Sequence, residues 1–268
     1  MKNLLVPTDF SPNARHALEY AIAIANRMGC HIHLLHTYKL PSKAGMFISV
    51  DQYVMEDIRP DMHKWEEEVR EKLDGSASIS SSILRDSPVH GILQTAEEES
   101  IDLIVMGTQG ASGLKEVFLG STTGSVLQQA RVPLLAIPGG AQLRPVKTIV
   151  LAVDDLDIPS PQVLEPLVRF AKSFGARIMV YHLEKEVDAG IDPSVDLFLG
   201  GVEHSFHYEM QQKELNDCIN DFVNDQQADL LCMIRRPKGF FERLFRGSVT
   251  QKKVFNSPVP LLVLLEEG

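Results

Sequence analysis

Between strand-like Leu103 and a hydroxyl-rich stretch near Ser121, the chain reads Met106-Gly107-Thr108-Gln109-Gly110-Ala111-Ser112-Gly113-Leu114-Lys115-Glu116-Val117-Phe118-Leu119-Gly120-Ser121-Thr122-Thr123. Glycines and hydroxyls in this density suit the holding of an anion. Gly107 and Gly110 lack Cβ, so the backbone can turn sharply and come close to a ligand. Gly120, Ser121, Thr122 and Thr123 would set N–H groups and hydroxyls at a helix N-terminus, a physical solution for binding phosphate. Asp9 closes an apolar run near the N-terminus, where its carboxylate could accept ribose hydroxyls or help hold a divalent ion beside phosphates. The plainer account is that the glycines shape a loop and Ser121 caps a helix. Two enzyme classes are excluded by spacing. No Gly-Lys-Ser/Thr occurs, so the loop is not a Walker A element, and Gly-x-x-Gly-x-x-Gly after a late strand is not the dinucleotide GxGxxG.

The elements that must position these residues occur twice. Lys2 to Asp9 lines up with Lys147 to Asp154, each a short apolar run ending in a carboxylate. Helical patterns follow: Leu18, Ala21, Ile22, Ala25 and Met28 before Gly29, then Leu164, Leu167, Val168 and Ala171 before Gly175. Apolar residues at i, i+3, i+4 and i+7 make an amphipathic helix, and glycine just past its end supplies a left-handed cap. Strands His31 to His36 and Arg177 to His182 match, as do Asp102 to Met106 with Asp229 to Met233, and Val132 to Leu135 with Val259 to Leu262. The offset between copies starts near 145 residues and falls to 127 after the second strand. The loss falls where the first copy has a long helical pattern, Asp51 to Leu73 with Trp65, and the second has only Pro193 to Leu199. Alternation of strand and helix favours a parallel sheet covered on both faces. The expected architecture is α/β, two tandem doubly wound domains, 1–141 and 146–268, each with a five-stranded parallel sheet in the order 3-2-1-4-5. Gln142 to Pro145 links them. In such sheets ligands sit outside the carboxyl ends of the strands where the order reverses, here between strands 1 and 4.

Composition narrows the function. The 268 residues carry 26 Lys plus Arg against 36 Asp plus Glu, a net charge of −10, with 44% hydrophobic residues. That acidic balance argues against nucleic acid as a partner. Cys30, Cys218 and Cys232 are widely spaced and form no CxxC pair, which disfavours a zinc module or disulfide framework. With no apolar run near the roughly 18 residues of a membrane span, and a first apolar stretch too short for a signal peptide, the expectation is a soluble, cytoplasmic protein. Glu203, His204 and His207 would share a helix face and suggest metal ligands. The repeat instead places them on a strand, where His204 and His207 point to opposite faces.

The spacing Gly-x2-Gly-x9-Gly-Ser, here Gly107, Gly110, Gly120 and Ser121, resembles the nucleotide-binding signature of the universal stress protein family. Leu5-Val6-Pro7-Thr8-Asp9-Phe10-Ser11 resembles that family's first strand, Leu35-His36 the end of its second, and the likeness covers nearly the whole chain as two copies. The resemblance implies that Pro7, Thr8 and Asp9 line the adenosine side and that Thr37 offers backbone groups to adenine. Met106, Gly107, Gln109 and Gly110 would meet ribose and phosphates, and Gly120, Ser121, Thr122 and Thr123 would close on the phosphates. One departure is Asp86, where the family often has glycine; it would narrow the adenine pocket or make it more acidic. The resemblance also implies that the copies pair through Leu134 to Ile137 and Leu261 to Leu264, an intramolecular pseudo-dimer that leaves room for a homodimer of chains.

The second copy has lost the loop. Gly107 aligns with Ile234 and Gly110 with Pro237, and only Gly247-Ser248 remains. In its place stands the basic, aromatic run Arg235 to Arg246, read either as a surface for an acidic partner or, preferably, as phenylalanines packed onto the domain with solvated arginines between them. The leading functional expectation is a stress-response protein that binds ATP or AMP, with or without Mg²⁺, at one site in the first domain and acts through ligand-linked changes in conformation or in an unknown protein partner. A slow ATP hydrolase or nucleotidyl transferase is the enzymatic alternative. No catalytic residue stands out, since the loop shows neither a general base nor a lysine fixed for a γ-phosphate. A ligand-free scaffold is the third reading.

Overall fold

Leu, Ile and Val alternate faces along the strands, and that alternation builds one sheet with an apolar core on each side. The computed structural model describes residues 1–39, 47–108, 120–154, 158–184, 193–236, 239–245 and 257–266. The first half runs β1 (Asn3–Thr8), α1 (Pro12–Met28), β2 (His31–Tyr38), α2 (Phe47–Lys72), β3 (Ser78–Arg85), α3 (Pro88–Glu98), β4 (Leu103–Gly107), α4 (Ser121–Gln129) and β5 (Leu134–Ile137). The second runs β6 (Thr148–Val153), α5 (Pro161–Phe174), β7 (Arg177–Glu184), α6 (Pro193–Phe198), β8 (His204–Met210), α7 (Leu215–Asp225), β9 (Leu230–Arg235), α8 (Phe240–Phe245) and β10 (Leu261–Leu265).

The strands form a 10-stranded sheet in the order β3-β2-β1-β4-β5-β10-β9-β6-β7-β8. Each half therefore has the expected 3-2-1-4-5 order with parallel pairing, and the halves join where β5 and β10 pair antiparallel, Leu135 opposite Leu262. Joining the two last strands removes two exposed edges and makes each core continuous across the molecule. One core takes Leu4, Val6, Leu34 and Val105 with their counterparts Ile149, Leu151, Val180 and Cys232 under α1, α2 and α5. The other takes Leu5, Leu35, Ile104 and Met106 with Val150, Tyr181, Leu231 and Met233 under α3, α4, α7 and α8.

Repeated local devices set the repeated elements. Ser11 caps α1 by accepting from the Ala14 N–H, with Pro12 at the first helical position, and Gly29 ends it at φ 67°. Ser160, Pro161 and Gly175, at φ 66°, do the same for α5. These φ values are cheap for glycine and costly for other residues. The Asp102 carboxylate accepts from the N–H groups of Lys2 and Asn3 at 2.5 and 2.9 Å. Asp229 accepts from Lys147 and Thr148 at 2.8 and 3.0 Å, so both first strands start on the same anchor. The long helix begins at Phe47, four residues before the sequence pattern implied, and its counterpart α6 is only 6 residues long.

His204 and His207 lie on β8, as the repeat required. His204 binds the Asp196 carboxylate at 2.9 Å, and His207 meets the Ser205 hydroxyl at 2.8 Å. His31 and His33 share a sheet face in a ladder with Ser78, Ser80 and Ser82 at 2.7–3.1 Å. Among the described residues, no group of three or more His, Cys, Asp or Glu could hold a metal ion. Nor is any helix among them long and apolar enough to cross a membrane.

Candidate functional site

At the carboxyl ends of β1 and β4, where the strand order reverses, the first half carries a cleft of about 320 Å³. Strand β1 brings Pro7 and Thr8 to its rim with Asp9 just beyond, and β2 brings Leu35 and Thr37. Strand β4 brings Met106 and Gly107, and the start of α4 brings Gly120, Ser121, Thr122 and Thr123. Ten of the twelve residues expected at the site thus border one space. The other two, Gln109 and Gly110, lie outside the described residues. Pro88 and Ile92 of α3 and Ala14 of α1 complete the lining. Sequence reasoning passed over Leu35, Pro88 and Ile92 because apolar residues read as core. The usable signal was the shared parity of Leu35 and Thr37 on β2, which must present both to the helix after β3.

The local bonds explain how the rim is held. The Thr8 hydroxyl accepts from the Phe10 N–H at 3.0 Å and Asp9 from the Ser11 N–H at 3.0 Å. Phe10 takes φ 61°, a left-handed conformation that is strained for a bulky residue. Its ring stacks on His36 at 4.7 Å and meets Trp65 edge-on at 5.5 Å, contacts that offset the strain and fix where Asp9 stands. The Thr123 hydroxyl donates to the Gly107 carbonyl at 2.7 Å, and the Gly120 N–H to the Thr108 carbonyl, so the two ends of the glycine loop are tied to each other. The cap residue of α4 is Gly120, which has no side chain to answer the first-turn N–H groups that border the cleft. Such groups favour negatively charged oxygens.

Gly107 has a different first reason for being glycine. A Cβ there would stand 2.9 Å from the Asn13 carbonyl oxygen and 3.3 Å from its Cβ. The approach of α1 alone therefore demands the missing side chain. In the second half the matched residue is Ile234, since Gly107 pairs with Ile137 on β5 as Ile234 pairs with Leu264 on β10. Two residues separate Asp9 from Pro12, whereas six separate Asp154 from Pro161. Ile234 lies buried in a core with Ile158, which this longer connection carries.

Asp86 does not line the cleft. One of its carboxylate oxygens accepts from the Ser87 N–H at the start of α3 and the other meets His90, both at 2.5 Å. The His90 contact, then the Ser87 N–H, hold its carboxyl below the usual range. The expected narrowing of the pocket is instead a helix-start anchor turned to its own helix.

At the matching place in the second half, the described side chains pair with one another. Arg236, 8% exposed, donates through Nε and Nη2 to Asp154 Oδ1 at 3.0 and 2.7 Å, and its Nη1 lies 3.6 Å from Glu266. Tyr181 occupies the place of Leu35, paired with Ala152 as Leu35 is with Pro7. Its ring stacks on Phe222 at 4.1 Å and its hydroxyl donates to Glu209 at 2.7 Å. Phe240 and Phe241 are buried, as the packing reading of the basic-aromatic run required. Its arginines differ from that reading: Arg236 is a buried ion-pair partner, and Arg235 donates to the Leu127 and Ala130 carbonyls across the junction. Pro237, Gly247 and Ser248 lie outside the described residues.

Comparisons with known proteins identify the family. A universal stress protein of Methanocaldococcus jannaschii is 29% identical over 152 residues, covering 51% of this chain and 94% of that protein. One from Thermus aquaticus is 30% identical over 139 residues, 51% of this chain and 98% of that protein. The crystal structure of a universal stress protein from Archaeoglobus fulgidus, 22% identical, superposes with a TM-score of 0.73 over 97% of this chain and 95% of that one, which shows the shared fold. The pattern of the universal stress protein family matches residues 1–138 and 199–264. This chain belongs to the universal stress protein family and carries two of its domains in tandem.

Proposed function

We propose that the chain binds one adenine nucleotide, ATP or AMP, in the cleft of the first half, and that occupancy changes its conformation or its protein contacts. The observation that carries this reading is the convergence of Asp9, Thr37, Met106 and the uncapped start of α4 on a single cleft. Its volume of about 320 Å³ falls at the lower end of the range for small-molecule sites, roughly 300–1,000 Å³. Leu35, Pro88 and Ile92 offer apolar walls to a base, Asp9 an acceptor to ribose hydroxyls, and the α4 N-terminus a positive end to phosphate. Mg²⁺ is commonly held by one or two carboxylates together with substrate phosphates, and Asp9 is the carboxylate here.

The division of labour follows from the second crevice. Arg236 pairs with Asp154 and Tyr181 stacks on Phe222 where a nucleotide would have to enter, and on that ground we assign the second half no nucleotide. The units we infer are 1–141 with the nucleotide cleft and 146–268 with the closed one. Among the described residues, Asp9 is the one ionisable side chain lining the cleft. The buried, unpaired Cys30, Cys218 and Cys232 suit a reducing, cytoplasmic setting. Mass spectrometry of small molecules released from purified protein, followed by titration calorimetry with ATP and AMP, tests the reading. An adenine nucleotide at one equivalent per chain is expected, with phosphate release too slow for multiple turnovers. A chain that neither carries nor binds nucleotide at millimolar concentration would refute it.

A further inference from the structure

We propose that Arg235, from the second half, is a positioning residue for the phosphate end of the first half's cleft, acting through α4. The inference rests on the nucleotide reading above and deepens it. Helix α4 has 9 residues, fewer than the roughly 12–15 at which an isolated helix becomes marginally stable. It therefore depends on what holds its two ends. The N-terminal end is tied by Thr123 to Gly107 and by the Gly120 N–H to Thr108, and it borders the cleft. At the other end, as in α3 and α7, there is neither a left-handed glycine nor a basic side chain in the last turn. Helices α1 and α5 close on left-handed glycines and carry Arg27 and Lys172 in their last turns. Helix α4 has no basic residue in its last turn and ends at Ala130, with φ −58° and ψ 144°.

Arg235 supplies what is missing from 108 residues away. Its Nη1 donates to the Leu127 carbonyl and its Nη2 to the Ala130 carbonyl, both at 2.5 Å. A planar fork across two carbonyls sets both the axial position and the rotation of a helix about 14 Å long. Its charge offsets the negative end of the helix dipole and leaves the positive end, at the cleft, less opposed. Arg235 ends β9 beside Arg236, so the strand that leads to the Asp154 ion pair also braces α4. Thr108 holds the matching place in the first half, as the strand pairings show, and has no guanidinium to return the contact.

The test compares wild type, Arg235→Gln and Arg235→Lys by calorimetry with ATP, AMP and adenosine. Positioning through α4 acts on phosphates, so Arg235→Gln should weaken ATP roughly three- to tenfold while adenosine shifts less than about twofold. AMP should fall between them. The lysine variant, which keeps the charge but not the fork, should restore part of the loss. Equal weakening of ATP and adenosine, or no change in either, overturns the inference. Should Arg235→Gln not fold, the ATP-to-adenosine ratio of the lysine variant decides: an unaltered ratio overturns it. Wild type that binds none of the three ligands removes the nucleotide reading and this inference together. Wild-type binding with unaltered variants removes this inference alone.

Discussion

Arg236 grips one oxygen of Asp154 with two donors, at 3.0 and 2.7 Å, where the first half keeps Asp9 at the rim of an open cleft. The same fold position borders a cleft in one copy and forms an internal ion pair in the other. Arg236 is 8% exposed and Asp154 18%, so the pair is poorly screened by water. Removing one partner leaves a charge that the site cannot solvate. Arg236→Met should cost about 2–4 kcal/mol in urea denaturation, whereas pairing it with Asp154→Leu should recover most of that. A single variant as stable as wild type would show that the pair holds nothing in place.

Gly107 and Gly140 separate a steric requirement from chance. A methyl at Gly107 meets the Asn13 backbone at 2.9 Å, while one at Gly140 meets nothing within 4 Å. Backbone cannot swing aside as a side-chain tip can. Gly107→Ala should therefore cost about 1–3 kcal/mol and shift the start of α1, with Gly140→Ala neutral. Equal melting temperatures for the two variants would refute the contact.

Much of the architecture was legible because it depends on local period. Strands alternate at two and helices at about 3.6, and the duplicated caps Ser11 with Gly29 and Ser160 with Gly175 mark the ends. The repeat then carried His204 onto a strand. Long-range pairing was not legible. Arg235 and Arg236 read as solvated charge because their acceptors, Leu127 and Asp154, lie 108 and 82 residues earlier. The cleft's apolar walls, Leu35 and Ile92, were hidden for the opposite reason: in sequence a ligand wall and a core residue look alike. The bonds of Asp86 were not legible because its partner, His90, comes one turn later on a helix whose start Asp86 itself anchors.

Two histidines should bend the stability profile in opposite directions. Burial, first, and the neighbouring His31 push His33 below its ordinary value, with Glu99 opposing. Below the ordinary pKa of about 6.5 the unfolded chain then binds more protons than the folded one, so stability present above that value is lost as pH falls through the lower folded pKa. For His204 burial works against the charge, but the Val202 carbonyl and the Asp196 carboxylate outweigh it and raise the pKa. Its contribution is present below about 6.5 and lost as pH rises through the raised value. Urea midpoints between pH 5 and 8 check both signs. His33→Gln should flatten the acid side and His204→Gln the neutral-to-alkaline side; matching changes in both variants on one side would contradict the assignment.

Leu35 and Tyr181 occupy equivalent places, one bordering the cleft and the other packed against Phe222. Tyr181 stacks on Phe222 and donates its hydroxyl to Glu209. Burial and that carboxylate hold its phenol protonated well above the usual range. Moving the ring into the first half should therefore close the cleft with the chain's own device. Leu35 is buried as well as bordering the cleft, so in Leu35→Tyr the larger ring must reach into the cleft, and overpacking should cost about 1–3 kcal/mol. Nucleotide affinity should fall by at least about tenfold, roughly 1.4 kcal/mol, because the base wall is occupied. Adenosine should suffer as much as ATP, which distinguishes this lesion from loss of the Arg235 fork. Calorimetry on the folded variant reads both ligands directly. Undiminished binding would mean that the base does not lie against Leu35, and that the apolar wall of the cleft serves the core alone.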